Sequence, residues 1–238
     1  MFISQYFLAW YLGNNPNDSV ILTSYEATLA GMFGGRVRDA ISEFGPELWG
    51  LSVKSDKRAA TDWTLSGRDS MGVPVVGGMR SAGVGTGVTG RGGQLIVIDD
   101  PFKDAVQANS DLYRKKIWDW YLAVLFPRRE PGCKQICVMT RWNEDDLIGR
   151  LVSEAEDQAG EDWTTLFLPA IHDDEEQYDP LGREVGDALW PERWPVEELM
   201  RTKTTMTPYW WASLYQQRPA PVEGNLFKRE WWRFWAPS

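Results

Sequence analysis

Apolar residues along this chain recur with two periods, one near four and one near two, and their succession sets the expected fold. Residues 2–12 carry Ile3, Tyr6, Phe7, Trp10 and Tyr11 at helical spacing, and Gly13, Asn14, Asn15 and Pro16 stop that helix. Residues 20–24 form a short apolar strand. Helical spacing returns over 26–41 through Leu29, Phe33, Val37 and Ile41. Residues 53–78 alternate loosely, with short strands expected at 63–65 and 73–76. Eight glycines then fall between Gly77 and Gly93. Leu95, Ile96, Val97 and Ile98 follow as an unbroken aliphatic run, the pattern of a strand buried on both faces. A helix is predicted over 110–126, capped by Asn109 or Ser110 and ended by Pro127 and a Glu130-Pro131-Gly132 turn. A strand at 134–140, a helix at 145–156 and a strand at 164–170 complete the series.

Strands and helices alternating on this scale predict an α/β domain with a mostly parallel sheet, spanning residues 1–171. From His172 onward the texture changes. An acidic run at 173–176 gives way to Asp-Pro, Leu-Gly and Trp-Pro punctuation, with helical segments expected at 195–204 and 209–217. Residues 172–218 therefore read as a small subdomain or linker packed on the core, and 219–238 as an aromatic and charged connecting tail. The chain opens in a helix, as an α/β domain does when its first strand lies upstream.

Composition adds limits. The 238 residues are 43% hydrophobic, enough for a full core, and a net charge of −9 argues against a surface coated with nucleic acid while leaving room for a local basic groove. The two cysteines, Cys133 and Cys137, and the single histidine, His172, show no zinc spacing, so the thiols read as reduced core residues. No signal-peptide pattern or membrane-length apolar run appears, which predicts a soluble intracellular protein with no membrane partner.

The aliphatic run ends in Asp99, Asp100 and Pro101. Burying an unpaired carboxylate is costly, so such a pair belongs at the open C-terminal edge of a sheet, where an aspartate can hold Mg²⁺ through its water shell. A strand running into an Asp-Pro turn is the other reading. Gly85, Gly87 and Gly90 formally satisfy G-x-G-x-x-G, but the stretch leads into a strand and not a helix, so a dinucleotide site is rejected. The phosphate-cradling pattern G-x-x-x-x-G-K-[ST] is absent from these 238 residues.

Several stretches taken together resemble one family. They are Ala9-Trp10-Tyr11-Leu12-Gly13; Thr89-Gly90-Arg91-Gly92 ahead of the Asp99 strand and Lys103-Asp104; and Met139-Thr140-Arg141-Trp142-Asn143-Glu144-Asp145-Asp146-Leu147. Asp179-Pro180-Leu181-Gly182-Arg183, Ala188-Leu189-Trp190-Pro191-Glu192-Arg193 and Leu214-Tyr215-Gln216-Gln217-Arg218-Pro219 extend the set. In collinear order over nearly the whole chain, they resemble the large subunit of tailed-bacteriophage terminases, the motor that packages viral DNA.

The resemblance implies a RecA-like P-loop NTPase core of the ASCE type, using ATP and Mg²⁺. It begins just after the family's phosphate-binding lysine and stops near the start of its nuclease domain, with 227–235 resembling the lead-in. The 238 residues would thus be an ATPase-region fragment, with no nuclease activity and weak or absent turnover alone. By this resemblance Asp99 binds Mg²⁺ through water and Asp100 stands where most relatives carry a catalytic glutamate. Arg91 resembles an arginine finger supplied to a neighbouring subunit, and Thr140 a γ-phosphate sensor that couples hydrolysis to DNA movement. Implied partners are double-stranded DNA gripped without sequence preference, a terminase small subunit, the procapsid portal and further copies in a ring, in the host bacterial cytoplasm. An inactive prophage remnant and another RecA-like motor such as a helicase are the alternatives. Arg36 with Arg38, Lys54 with Lys57 and Arg58, Lys115 with Lys116, and Arg128 with Arg129 are candidate DNA contacts, each weighed against an ordinary solvated face.

Overall fold

The first helix opens with a π-helical segment, Phe2–Phe7, and continues as α1, Leu8–Asn14. The computed structural model describes residues 2–88, 90, 92–157, 160–176 and 178–219. The chain divides into two units, Met1–Met139 and Thr140–Ser238.

In the first unit, α1 leads into β1 (Ser19–Ser24), the long α2 (Ala27–Trp49), a hairpin of β2 (Ser52–Ala59) and β3 (Asp62–Ser66), then β4 (Gly78–Gly83) and β5 (Gly93–Asp99). Two short helices, α3 (Ala105–Ala108) and α4 (Asp111–Trp120), pass through a π-helical segment, Tyr121–Leu125, and a 3-10 turn, Phe126–Arg128, into β6 (Arg129–Val138). The strands form one sheet in the order β2-β3-β4-β1-β5-β6. The β4-β1, β1-β5 and β5-β6 pairs are parallel, and the β2-β3 and β3-β4 pairs antiparallel. The expected α/β class with a mostly parallel sheet is what forms.

Alternation along the central strands sorts their side chains into two layers. Val20 and Leu22 of β1 and Leu95 and Val97 of β5 pack with Leu8 and Leu12 of α1 and Phe33, Val37 and Ile41 of α2. Each such aliphatic burial is worth about 1.5–3 kcal/mol, so this layer fixes both helices on one face. Ile21, Ile96 and Ile98 point to the other face and are equally buried. On that side the Tyr121 hydroxyl hydrogen-bonds Gln135 Oε1 at 3.2 Å and the Trp120 indole donates to Thr86 O at 3.0 Å.

Several expectations need correction. β4 falls within the glycine-rich stretch, where no strand is expected from sequence; a Cβ on Gly78 would strike the Trp63 backbone, so glycine there serves close strand packing. Residues 73–76 are not a strand among the described residues, and only Pro74 makes an isolated bridge, to Arg68. α2 runs past Ile41, through Pro46, to Trp49, whose ring lies where a Cβ on Gly13 would stand and so ties the end of α2 to α1. Pro131 and Gly132 do not interrupt β6; the register slips between the Gly93–Arg129 and Leu95–Lys134 pairs and absorbs them as a bulge. The turn from β4 to β5 forms no helix among its described residues, in keeping with rejection of the dinucleotide motif.

The second unit holds α5 (Leu147–Glu156), α6 (Val196–Thr205), α7 (Pro208–Trp210) and a π-helical segment, Trp211–Tyr215. Its small core joins Ile171, Ala188, Leu199 and Trp211. Residues 164–170 are not a strand; Ala170 N donates to Tyr215 O and Leu168 N to the Gln217 side chain, so their hydrogen bonds go to the later helical segment. Gln216, buried, accepts from Ile171 N and donates to Ile171 O, which pins the same segment. Among the described residues, no helix is long and apolar enough to cross a membrane.

Candidate functional site

The C-terminal ends of the parallel strands meet in one row. Gly83 of β4 pairs with Ser24 of β1, Ser24 with Asp99 of β5, and Asp99 with Val138 of β6. Ser24 continues the Val20-Leu22 alternation and Asp99 the Leu95-Val97 alternation, so both side chains project into the layer beneath α1 and α2. Their neighbours toward the strand starts are leucine and valine, and polarity appears only at this edge. Asp99 is 9% exposed. Its Oδ2 accepts from the Ser4 hydroxyl at 2.5 Å, a contact the opening helix makes across 95 residues of sequence. Ser24 is 0% exposed, and its hydroxyl has no hydrogen-bond partner among the described residues. Leaving a buried hydroxyl unpaired costs about 1–3 kcal/mol, whereas alanine there would cost nothing of the kind.

Beyond Asp99 the ladder continues by two more backbone bonds, Asp100 N to Val138 O at 2.8 Å and Tyr25 N to Asp100 O at 3.0 Å. Asp100 sits at φ +44°, in the left-handed region that costs a non-glycine residue about 1–3 kcal/mol and that concentrates at functional turns. The two carboxylates thus occupy distinct settings, Asp99 in the last position of the strand and Asp100 on a strained turn, half-buried. The start of α2 lies at the same edge. A Cβ on Gly83 would come within 2.7 Å of Ala27 N, so only glycine lets the first turn of that 23-residue helix sit so close to the strand.

Thr140 opens the second unit, two residues past the end of β6, and is half-buried. The loop after it is organised by Asp146. The Asp146 carboxylate, 0% exposed, accepts from Arg141 Nε at 2.9 Å, from Trp142 N and Asn143 N, and from Gly149 N at 3.0 Å, where it caps α5. Burial pushes its carboxyl above the usual range, against the pull of Arg141 and those N–H donors. The helix expected from residue 145 starts instead at Leu147, and Asp146 caps it. Arg141 is spent on this carboxylate, a structural pairing. Farther on, the Asp179-to-Arg183 loop closes on itself. Arg183 forms a 2.6 Å pair with Asp179 and holds its carboxyl down to about 2.

Of the residues singled out from sequence, Asp99 and Asp100 stand together at the edge of the first unit. Arg91 lies outside the described residues, as do Thr89 and the 227–235 segment. Several candidate DNA contacts are engaged locally: Arg38 pairs with Asp39 and donates to Arg58 O, Lys115 pairs with Asp119, and Arg129 stacks over Phe126 at 3.4 Å. The chain's thiols are half-buried on β6, and burial raises the Cys133 pKa.

Sequence reasoning missed Ser4 and Ser24. Isolated serines in apolar periodic segments carry no spacing signal, although serine at a position that the period assigns to the core is itself a flag. A cavity of about 440 Å³ opens at the other end of the sheet, lined by Asn17, Ser19, Gln94 and Glu130. It holds neither aspartate, and ligands of open α/β sheets bind at the carboxyl ends of the strands, which favours the Asp99 edge. Among the described residues, no group of three or more His, Cys, Asp or Glu is placed to hold a metal by itself. A water-rich Mg²⁺, which takes one or two carboxylates plus substrate phosphates, fits the edge better, and the orphaned Ser24 hydroxyl beside Asp99 is the atom that argues for a guest there. No family model matches the chain, and no curated protein is significantly similar to it.

Proposed function

We propose that this chain is the ATPase region of a phage terminase large subunit, a RecA-like P-loop motor that couples ATP hydrolysis to movement of double-stranded DNA. The observation that carries the reading is the buried Asp99 carboxylate at the C-terminal edge of a parallel sheet, held by a serine from the helix that precedes β1. When bound, Mg²⁺ neutralises charge on the transferred phosphates. Asp99 would hold that ion's water shell, with Ser4 fixing the carboxylate through Oδ2. Asp100 would orient the attacking water. Its aspartate side chain is one methylene shorter than the glutamate that the reading expects there, and it stands on a turn with φ +44°. Arg91, as a finger on a neighbouring copy, and Thr140, as the γ-phosphate sensor, complete the assignment.

The phosphate-cradling loop required by this reading is not in the 238 residues. The outer edge of β6 pairs with no strand among the described residues, and we place the loop-bearing strand there. Phe2, Tyr6 and Trp10, at a spacing of four on one helical face, are all more than half exposed, as expected for a face that a further element covers. The second reading is a remnant that catalyses nothing.

Calorimetric titration separates the outcomes. The 238-residue chain is expected to bind Mg-ATP only weakly, and a chain extended upstream by a strand and G-x-x-x-x-G-K-[ST] loop to bind it and hydrolyse it when DNA is present. Asp99→Ala in the extended chain should abolish turnover. Undiminished hydrolysis by that variant would sink the assignment, and an inert extended chain would favour the remnant.

A further inference from the structure

We infer that Ser24 is a positioning residue for the cation at Asp99, its hydroxyl hydrogen-bonding a water of the ion's shell. This rests on the reading of Asp99 as a cation-binding group. Ser24 and Asp99 are register partners on adjacent parallel strands and share a face of the sheet. The earlier side chains of that face, Val20 and Leu22 in β1 and Leu95 and Val97 in β5, are aliphatic and buried in the core beneath α1 and α2. A hydroxyl closing this series, shut from solvent and without a partner among the described residues, gains nothing for the fold.

The neighbouring groups define what it can do. Ser4 engages Asp99 Oδ2, and the Ser24 hydroxyl, which reaches no partner among the described residues, keeps both its proton and its lone pairs for a cation-bound water. On its other side, Gly83 contributes no side chain and the first turn of α2 closes over it, so nothing of β4 competes for the Ser24 oxygen. Asp99 offers the partly open approach and Ser24 the closed inner wall. Together they would orient the water shell from two strands, as outer-shell groups do at metal centres generally.

The test is Mn²⁺ titration of the full chain, read as paramagnetic broadening of the Ser24, Asp99 and Asp100 amide resonances, with thermal unfolding measured in parallel without metal. Wild type should show saturable broadening at these amides. Ser24→Ala should weaken Mn²⁺ binding by about tenfold while the unfolding temperature stays level or rises, since an unpaired hydroxyl has been removed. Ser24→Cys keeps the volume but accepts hydrogen bonds poorly, and should weaken Mn²⁺ binding in the same direction. Unchanged Mn²⁺ affinity in both variants would overturn the inference, and so would a lowered unfolding temperature accompanying the loss, which would make the hydroxyl a packing group. If Asp99→Asn removes the broadening and the Ser24 variants do not, the role of Ser24 fails and the Asp99 reading stands. Absence of broadening at Asp99 in wild type overturns both.

Discussion

Two buried aspartates, one in each unit, divide between them the work that a carboxylate can do. Asp146 accepts from a guanidinium and from three backbone N–H groups, caps a helix, and is closed from solvent. Among the described residues Asp99 accepts from one serine hydroxyl, sits beside a second hydroxyl without a partner, and retains a little exposure. A carboxylate whose lone pairs are all answered within the protein holds structure together. One that is buried and only partly answered is set for a guest, because the protein bears a cost that binding can return. The contrast in partners gives Asp146 an architectural role and leaves Asp99 as the carboxylate on which the proposed function rests.

The largest effect should follow from breaking the satisfied site. Asp146→Ala leaves Arg141 without its carboxylate, strips α5 of its cap and frees the Trp142 and Asn143 amides, and is expected to cost about 3 kcal/mol in denaturant unfolding. A loss under about 0.5 kcal/mol would show that the 141–149 loop does not depend on Asp146 and would remove one side of the comparison. A smaller effect concerns Asp179, the second structural carboxylate of that unit. Its folded pKa, about 2, lies below the ordinary aspartate value of 3.8, because Arg183 and the loop amides favour the ionised form. The stability it contributes is therefore complete above about pH 4 and is lost as pH falls toward 2. Asp179→Asn should flatten the stability profile in that window and leave it unchanged above it; an identical profile in the variant would contradict the assignment.

The core of the first unit was legible because its strands and helices keep clean periods. Leu95 to Ile98 announced a doubly buried strand, and Leu29, Phe33, Val37 and Ile41 a helix face. Asp99 and Asp100 were legible for the same reason, since charge ending an aliphatic run is a local contradiction that only a sheet edge resolves. β4 was hidden because glycine, the residue that permits its close packing on β3, is also the residue of loops. The 164–170 segment looked like a strand because its apolar residues are spaced like one, but its backbone partners, Tyr215 and Gln217, lie far along the chain. Ser4 and Ser24 were invisible as site residues because their significance is relational. One depends on a contact across 95 residues and the other on a strand register, and neither is written in local sequence.

The most direct test of the account is chemical unfolding of the full chain with and without Mg²⁺, for wild type and Asp99→Asn. The variant keeps the oxygen that accepts from Ser4 and removes the charge, so its metal-free stability should equal or slightly exceed that of wild type. Mg²⁺ at about ten times its dissociation constant should stabilise wild type by about 1.4 kcal/mol and the variant not at all. Equal stabilisation of both proteins, or none in wild type, would contradict the claim that the Asp99 edge is built to receive a cation.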